Sequence, residues 1–546
     1  MYYPECARLA SEHPHLTHAA EKVDSLLRNL GPGAVLRPEI FASKLREKAS
    51  QVSGIFERLK DYGLLRTEPM FECDGCGNLM PMREQEELAE DDDELQCSQC
   101  GVSFASKPPR QVTVYRLCVT PVVSDRPRQA APVAVPASAA ELDEELDPEF
   151  LTDVFRHTPL LRYYSRNPDL QTARPFAGKR VLTVLHFLRD LIPFMEALFT
   201  LGAEPASTAL FYKAYPYPQR RAVAEYLKDR GCTVLPAAQI QSFLGELTRL
   251  SSEDLGEILA IEDGGFIVPL LHRQFRGLLA CAVGAVEQTT RGIRNIRALE
   301  GDGKPIAIPV MSVAASKLKG DFEPPHVAQA VISNVTRLVP HMALRGKHVG
   351  LLGFGTIGQQ LFQSLRDAGA VVTVYDRSKE NQLCAHQSGA NLAQTAADAA
   401  RDRHFVIGAS GEQSVDSSVI AVLRHNTYLV SASSEQYEID LDELSRVSHS
   451  QCDLLGETRR IIGTGYVLTP DKRQINLLAN GYPVNFWGMD SMPEQASDLI
   501  LTLILLSAAE VAGRTHLTPG ISDEAVNELA GEKRYNVAGK FLEFHP

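Results

Sequence analysis

Residues 349–358 have the sequence Val349-Gly350-Leu351-Leu352-Gly353-Phe354-Gly355-Thr356-Ile357-Gly358, in which an apolar run passes into a GxGxxG loop. A second apolar run, Val371 to Tyr375, follows and ends in Asp376. A strand, a glycine loop that opens a helix, and a second strand ending in a carboxylate are the parts of a dinucleotide-binding βαβ unit. The stretch therefore predicts a Rossmann fold that binds NAD.

Each position of the loop has an expected role. Gly353 allows the tight turn, Gly355 lets the backbone approach a pyrophosphate, and Gly358 lets the helix pack on the strand. Asp376 is placed to accept hydrogen bonds from ribose hydroxyls, which favours NAD over NADP. Arg377 weakens that preference, because a guanidinium can accommodate a 2′-phosphate. The predicted cofactor-contacting residues of this unit are Gly353, Gly355, Thr356, Ile357, Gly358, Asp376 and Arg377.

Composition places the motif in a large acidic protein of 546 residues, with a net charge of -13 and 44% hydrophobic residues. At roughly 100–200 residues per domain, this length predicts several domains. The negative charge argues against affinity of the whole protein for nucleic acid or anionic membrane. The most apolar run, Leu499 to Leu506, is too short to span a bilayer and predicts a buried helix. Of ten cysteines six are scattered singly, so a reducing, cytoplasmic location is expected.

The other four cysteines form two CxxC pairs, Cys73 with Cys76 and Cys97 with Cys100, and a glycine follows each pair. Four thiolates at this spacing close a tetrahedron around Zn²⁺, so the pairs predict a zinc ribbon with a closed, structural site. Paired redox thiols are the alternative.

Upstream of the cysteines, apolar residues recur at helical spacing: Val52, Ile55, Phe56, Leu59 and Tyr62. Gly63 ends this predicted helix, another helix is predicted at 38–48, and an extended segment follows. The arrangement resembles a winged helix-turn-helix. Residues 36–70 hold seven Lys or Arg against five Asp or Glu, but eight acidic residues between 84 and 94 would repel phosphate. DNA and a protein both remain open as the partner of this head.

Beyond residue 150, strand-like runs alternate with helical stretches, which predicts α/β domains. The predicted strands are 181–185, 209–212, 233–235, 257–261, 405–408, 428–431 and 460–464. Residues 119–149 are rich in Pro, Ala and acidic residues, as is typical of a linker.

Several motifs between about Arg174 and Gly513 follow one another in the order found in a known family. They are Leu185-His186, Leu201-Gly202-Ala203-Glu204, Glu262-Asp263-Gly264-Gly265, Glu287-Gln288-Thr289-Thr290-Arg291-Gly292, Ile308-Pro309-Val310 with Ser316 and Lys319, the glycine loop, Tyr437-Glu438-Ile439-Asp440, and Asn476 to Gly481 leading to Val484-Asn485. In these motifs the chain resembles S-adenosylhomocysteine hydrolase, a family that uses tightly held NAD to oxidise a substrate ribose transiently. The resemblance does not reach the first 150 residues.

The resemblance implies an α/β fold in which a Rossmann NAD-binding domain is inserted in an α/β substrate domain. It also implies assembly into a homo-oligomer. The expected segments are a winged-helix-like part at 1–70, a zinc ribbon with a return strand at 71–118, a linker at 119–149, a substrate-like domain at 150–339 completed by 486–515, the Rossmann domain at 340–485, and a C-terminal tail at 516–546.

The resemblance also implies site residues. His186 and Asp263 match the family's histidine and aspartate beside the ribose, and Lys319 matches the lysine near the 3′ hydroxyl. Thr289, Thr290, Asp376 and Asn485 match residues that contact NAD. These positions predict NAD and a nucleoside-like molecule as ligands.

Other positions depart from the family. Gln288 replaces a substrate-binding glutamate, which removes a charge-assisted contact and is expected to leave a donor facing donors. Glu323 replaces an aspartate, and Pro324 an asparagine whose amide it cannot supply. Further departures are Leu188, Asp190, Ser434 and Met492. They predict a protein that keeps NAD, has lost thioether hydrolysis, and acts as a ligand-sensing regulatory or interaction protein. The alternative is an active NAD-dependent enzyme that oxidises a hydroxyl of a different nucleoside or sugar.

Overall fold

The computed structural model describes residues 3–13, 16–27, 35–45, 48–72, 79–81, 110–117, 148–301, 303, 305–433, 435–456, 460–513 and 517–546. The chain divides into two compact units, Met1–Gln129 and Ala130–Pro546. Each unit has a hydrophobic core built from its own residues. The predicted zinc ligands Cys73, Cys76, Cys97 and Cys100 lie outside the described residues.

The first unit combines helices with an antiparallel sheet. Its helices are α1 (Pro4–Glu12), α2 (Thr17–Leu27), α3 (Pro38–Leu45) and α4 (Ala49–Asp61). Its strands are β1 (Val35–Leu36), β2 (Leu65–Glu72), β3 (Leu79–Pro81) and β4 (Arg110–Leu117), in the order β1-β4-β2-β3. The helical spacing of the sequence is explained by α4, which buries Val52, Ile55, Phe56 and Leu59.

The second unit contains two lobes, each built on a largely parallel sheet. The sheet of the first lobe is wholly parallel, in the order β19-β10-β9-β8-β5-β6-β7. Its strands are β5 (Lys179–Val184), β6 (Thr208–Tyr212), β7 (Thr233–Pro236), β8 (Glu257–Glu262), β9 (Ala282–Glu287), β10 (Pro309–Ser312) and β19 (Gly520–Ser522). The central strands are buried along most of their length, as expected when helices cover both faces of a parallel sheet.

The helices of the first lobe come from before and after the second lobe in the chain. They are α5 (Pro148–Arg156), α6 (Pro159–Ser165), α7 (Pro168–Ala173), α8 (Leu191–Thr200), α9 (Arg220–Asp229), α10 (Ile240–Leu247), α11 (Ser252–Leu255), α12 (Ile267–Arg273), α13 (Thr290–Gly301), α14 (Lys317–Leu338), α20 (Glu494–Gly513), α21 (Ala525–Ala530) and α22 (Val537–Phe544).

The C-terminal part of the chain completes the first lobe. Helix α20 contacts β8, β9 and β10. Among the described helices it alone is long and apolar enough to cross a membrane, and 83% of its most apolar window is buried in the protein, so it is the core helix expected from the sequence. Asp498 of α20 accepts from Leu160 N and Leu161 N, both at 2.8 Å, and from His545 Nε2 at 3.0 Å. The segment expected as a tail, 516–546, adds the edge strand β19 beside β10, and its residues Val526, Leu529, Ala530 and Val537 are buried in the core of this lobe.

The second lobe has a Rossmann-like sheet in the order β13-β12-β11-β14-β15-β18-β17-β16, in which the pairs β18–β17 and β17–β16 are antiparallel and the other pairs are parallel. Its strands are β11 (His348–Leu352), β12 (Val371–Tyr375), β13 (Asn391–Leu392), β14 (Phe405–Gly408), β15 (Thr427–Ser431), β16 (Ser448–Leu455), β17 (Ile461–Leu468) and β18 (Gln474–Leu478). Its helices are α15 (Thr356–Asp367), α16 (Lys379–Gln387), α17 (Ala396–Ala400), α18 (Ser417–Val422) and α19 (Leu441–Arg446). The predicted βαβ unit is thus β11-α15-β12.

Candidate functional site

A cleft of about 480 Å³ is lined by segments that follow the carboxyl ends of parallel strands in both sheets and by residues of α14 and α20. Ligands bind at this edge in open α/β sheets. The sequence-predicted residues that line it are His186, Asp263, Thr289, Thr290, Lys319, Gly355, Thr356, Ile357 and Asn485. The structure therefore brings the predicted ligand residues and part of the predicted cofactor set into one cavity.

The glycine loop has the geometry of a phosphate cradle. Gly353 has φ +106°, and a Cβ there would lie 2.6 Å from the backbone of Ala409. A Cβ on Gly358 would lie 2.2 Å from the carbonyl oxygen of Gly353, so close helix–strand packing requires this glycine. A Cβ on Gly355 would meet nothing within 4 Å. Gly355 thus faces open space, where a pyrophosphate needs room at the N-terminus of α15.

Asp376 and Arg377 flank the cradle and do not line the cleft. Asp376 is nearly buried, and its oxygens accept from Phe354 N at 2.6 Å and Ser378 N at 2.8 Å. It therefore fixes the glycine loop. Arg377 is exposed and pairs with Glu412 at 2.5 Å, so its guanidinium is engaged by a carboxylate.

NAD fits the remaining groups on this side of the cleft. Asn485 is buried, and its Oδ1 has no hydrogen-bond partner among the described residues. An acceptor buried without a partner is costly, and the amide of a nicotinamide is a donor of the kind it lacks. The Thr289 hydroxyl is occupied by Glu287 Oε1 at 2.7 Å and by Gly292 N at 3.0 Å, whereas Thr290 opens α13 at the cleft wall.

Glu438 is a positioning residue that motif reading did not assign. It is fully buried and accepts from Ser410 N and Gly411 N, both at 3.1 Å, and from the Ser433 hydroxyl at 2.5 Å. Ser410, Gly411 and Ser433 line the cleft. One carboxylate therefore holds two cleft-lining loops, those after β14 and β15.

Asp263 is the centre of a hydrogen-bonded cluster on the opposite wall. It follows β8, and its Oδ2 lies 3.1 Å from His186 Nε2 and 2.5 Å from Gln288 Nε2. Its Oδ1 pairs with the ammonium of Lys213. His186 Nδ1 lies 2.5 Å from the Tyr217 hydroxyl. Because β5, β6, β8 and β9 are adjacent and parallel, the residues that follow them meet at one edge.

The electrostatics of this cluster favour an ionised Asp263. Burial raises the pKa of this carboxyl, but the Lys213 ammonium and then His186 lower it more, so its pKa lies well below the usual range. Lys213 was missed by sequence reasoning, although its position directly after the predicted strand 209–212 matches that of Asp263 after its strand.

Two buried glutamates hold the loops that carry this cluster. Glu262 accepts from Phe266 N at 2.7 Å and Ile267 N at 2.6 Å, and burial raises its pKa. Glu287, opposite Glu262 in the sheet register, accepts from Gly265 N at 2.8 Å and from Thr289 N at 2.7 Å. Burial, then Glu262 and then Asp263, raise the pKa of Glu287 well above its usual range.

Lys319 forms a separate pair with Glu323. Ser316 caps the helix α14, and Lys319 and Glu323 lie one turn apart on it and form an ion pair beside the cleft. Within the described residues no hydrogen bond or ion pair joins Lys319 to His186 or Asp263. The three predicted ligand residues thus share the cavity as two distinct groups.

Most of the departures from the family pattern also line the cleft. They are Leu188, Asp190, Gln288, Glu323, Pro324 and Met492. Burial, assisted by Glu494, raises the pKa of Asp190, whose carboxyl hydrogen-bonds Ser497. Ser434 lies outside the described residues. The described residues contain no group of three or more His, Cys, Asp or Glu suited to hold a metal.

Comparison with known proteins agrees with the fold of this region. Residues 327–489 match the family described as S-adenosyl-L-homocysteine hydrolase, NAD binding domain. The adenosylhomocysteinase of Aeropyrum pernix is 24% identical over 384 residues, 68% of this chain and 88% of that protein. The adenosylhomocysteinase of Archaeoglobus fulgidus is 27% identical over 343 residues, 62% and 81% of the two chains. The S-inosyl-L-homocysteine hydrolase of Methanopyrus kandleri is 23% identical over 356 residues, 64% and 80%.

Proposed function

We propose that this divergent adenosylhomocysteinase-like chain, which carries an NAD-binding domain, holds NAD and a nucleoside-like ligand but no longer hydrolyses a thioether. It acts as a ligand-sensing regulatory or interaction protein through its N-terminal head. The observation that carries the proposal is the 2.5 Å contact between Gln288 Nε2 and Asp263 Oδ2. A neutral amide whose donor is engaged by a neighbouring carboxylate replaces the ionised glutamate implied by the family resemblance.

The amide geometry refines how a ligand hydroxyl would bind. Because a carboxylate only accepts, the NH₂ group of Gln288 must face Asp263, and the carbonyl oxygen is its remaining acceptor. A ribose hydroxyl can donate to that oxygen, so no clash of donors results. Hydrogen bonds to ionised groups are roughly twice as strong as neutral ones, so ribose affinity should be lower than with a glutamate.

NAD supplies a hydride acceptor when bound, and the chain's own residues supply its cradle. Gly353, Gly355 and Gly358 shape the phosphate loop, Asp376 fixes it, and Asn485 offers a buried acceptor. These groups support retention of NAD independently of whether the nucleoside-like ligand is bound.

Two measurements on the purified protein test the proposal. Heat or acid denaturation should release NAD(H) in near-stoichiometric amount, detected by chromatography with mass spectrometry. Incubation with S-adenosylhomocysteine should yield no adenosine or homocysteine, while a bona fide adenosylhomocysteinase assayed in parallel does. Absence of NAD(H) would defeat the cofactor claim, and rapid thioether cleavage would defeat the claim of lost hydrolysis.

The second candidate function, oxidation of a nucleoside or sugar hydroxyl, is favoured by the Lys319–Glu323 pair beside the cleft. Lys319, His186 and Asp263 would serve this oxidation, Glu323 would accept the hydroxyl proton beside Lys319, and NAD, held by the glycine loop and Asn485, would supply the hydride acceptor. A panel of nucleosides should then raise absorbance at 340 nm with the wild-type chain and not with Glu323→Gln. No absorbance change over the panel, with NAD shown to be bound, removes this candidate.

The functions of the head are part of the proposal. Four thiolates would hold a structural Zn²⁺, and a winged-helix-like arrangement of α3, α4 and β2 would contact DNA or a protein. Assembly into a homo-oligomer, a cytoplasmic location and the lack of a membrane partner also stay predictions. Sedimentation of the full chain with and without adenosine would show whether assembly occurs and whether it responds to ligand.

A further inference from the structure

Lys213 is a buried cation at the carboxyl end of β6 that the function proposed above does not use. Only 3% of its side chain is exposed. Its Nζ pairs with Asp263 Oδ1 and lies 5.6 Å from the ring centroids of Tyr215 and Phe266. Lysine is almost never fully buried unless it is paired, so the burial of Lys213 is explained by its ion-pair partner.

The partner, Asp263, is held by three donors from the protein. Lys213 occupies Oδ1, and His186 and Gln288 share Oδ2 at 3.1 Å and 2.5 Å. Three donors fit an ionised carboxylate, because a protonated one would itself need an acceptor. Asp263 therefore serves to orient its neighbours, and His186 and Gln288 are the neighbours that line the cleft.

We propose that Lys213 is a positioning residue that sets the hydrogen-bond polarity of the ligand cleft through Asp263. Its charge holds Asp263 as a carboxylate. That carboxylate accepts a hydrogen bond from the Nε2–H of His186, which leaves Nδ1 to accept from the Tyr217 hydroxyl, and it turns the carbonyl oxygen of Gln288 toward the ligand. The inference rests on the proposed binding of a nucleoside-like ligand.

The groups around Asp263 explain why a cation is needed at this point. Glu262 precedes it on β8 and Glu287 lies opposite Glu262 on β9, while His186 follows β5 and Lys213 follows β6. Without Lys213, three buried carboxyl groups would lie close together with no cation from β6, and Asp263 would take up a proton. Its hydroxyl would then compete as a donor with Gln288 and His186, and both side chains would reorient.

A double-mutant cycle on the full chain tests the proposal, with adenosine as the probe and calorimetry as the readout. Lys213→Met and Asp263→Asn should each weaken adenosine binding by about tenfold or more, as expected when one partner of a buried charge pair is removed. Lys213→Met/Asp263→Asn should bind no more weakly than Asp263→Asn, since Lys213 acts through Asp263. Lys317→Met, at an exposed lysine on α14, is the matched control and should bind like wild type. Additive losses would overturn the proposal.

A spectroscopic readout separates positioning from mere stability. In ¹⁵N spectra His186 should carry its proton on Nε2 in the wild-type chain and lose that preference in Lys213→Met. If Lys213→Met does not fold, Asp263→Asn is compared with the double variant. Asp263→Asn leaves the ammonium of Lys213 without its carboxylate, so this variant should melt at a lower temperature than Lys213→Met/Asp263→Asn. Equal melting temperatures of these two variants would overturn the proposal. If wild type binds no adenosine, the proposed function fails, whereas the His186 tautomer still decides the role of Lys213.

Discussion

Position 288 illustrates how one side chain bears on the hydrogen bonding of the cleft. The family resemblance located Gln288, His186 and Asp263, and the structure places all three at the cleft. The resemblance could not supply the partner of the Gln288 amide, because hydrogen-bond direction depends on atoms from β8 and β9 together. It also could not supply Lys213, which belongs to none of the quoted motifs.

Restoring a carboxylate at this position should destabilise the fold in a pH-dependent way. Gln288→Glu places a second anion against Asp263 and should cost about 1–3 kcal/mol of unfolding free energy at pH 8. Repulsion raises the pKa of the new carboxyl in the folded state, so the stability of Gln288→Glu relative to wild type is greatest at low pH and falls as pH rises through that pKa. Urea unfolding at pH 5.5 and pH 8 measures the difference.

The control for this variant is Gln363→Glu on the surface of α15. Gln363 Nε2 donates to Asp367 at 2.8 Å in an exposed pair of the same chemistry. Solvent screens the repulsion there, so little change in stability is expected at either pH. An equal loss in both variants would mean that burial of Asp263 is not the cause.

The free cysteines should differ in their rate of alkylation according to the burial of their thiols. Burial, partly opposed by Arg230, raises the pKa of Cys232 to about 11, whereas Cys384 and Cys452 are exposed. A raised pKa means that the folded state favours the protonated thiol. The contribution of the Cys232 thiol to the free energy of unfolding is therefore complete below about pH 9 and is lost as pH rises toward 11. Pulse alkylation at pH 8 with peptide mapping should label Cys384 and Cys452 first. Labelling of Cys232 at the rate of Cys384 would contradict the burial.

At the scale of elements, the sequence predicted the glycine loop and its flanking elements, but it did not predict several strands. Its pattern predicted β11, α15 and β12, all of which form. β16 was missed because most of its residues are exposed, which removes the apolar signal of a strand. β9 was missed because Gly284 interrupts it, and this glycine is needed where a Cβ would lie 2.5 Å from Val511 of α20. Contacts between distant segments decide such strands.

Two glycines of the same loop should respond differently to alanine. Gly355→Ala adds a methyl group in open space at φ −68°, so the fold should be kept while NAD(H) content falls steeply. Gly358→Ala places a Cβ 2.2 Å from a backbone oxygen and should lower both thermal stability and NAD(H) content. Melting curves and released NAD(H) measure the two effects. Full NAD(H) retention in Gly355→Ala would contradict a pyrophosphate at this point.

At the scale of the whole molecule, the two units should be separable. The head core uses residues from Tyr3 to Leu117, and the cores of the second unit use residues from Leu160 onward. A fragment of residues 130–546 should therefore fold cooperatively and release as much NAD(H) as the full chain. Circular dichroism and the denaturation assay check this. A fragment that aggregates or lacks NAD(H) would contradict it.

The zinc prediction concerns the head alone. The full chain should contain one equivalent of zinc by elemental analysis, since four thiolates make one closed site. Cys97→Ser/Cys100→Ser should lose the metal and leave NAD(H) content unchanged. Cys384→Ser/Cys452→Ser, at exposed cysteines of the second lobe, is the control and should keep its zinc. Full zinc content in Cys97→Ser/Cys100→Ser would refute the ribbon.

The late position of helix α20 in the chain has a consequence for folding during translation. The strands β8, β9 and β10 leave the ribosome first, the whole second lobe follows, and only then does the helix that covers them emerge. During translation the nascent first lobe therefore exposes an apolar surface until α20 is synthesised, whereas the second lobe can complete its folding earlier. Chains that stall before residue 494 should be clients of chaperones and proteases, since they lack the helix that seals this core.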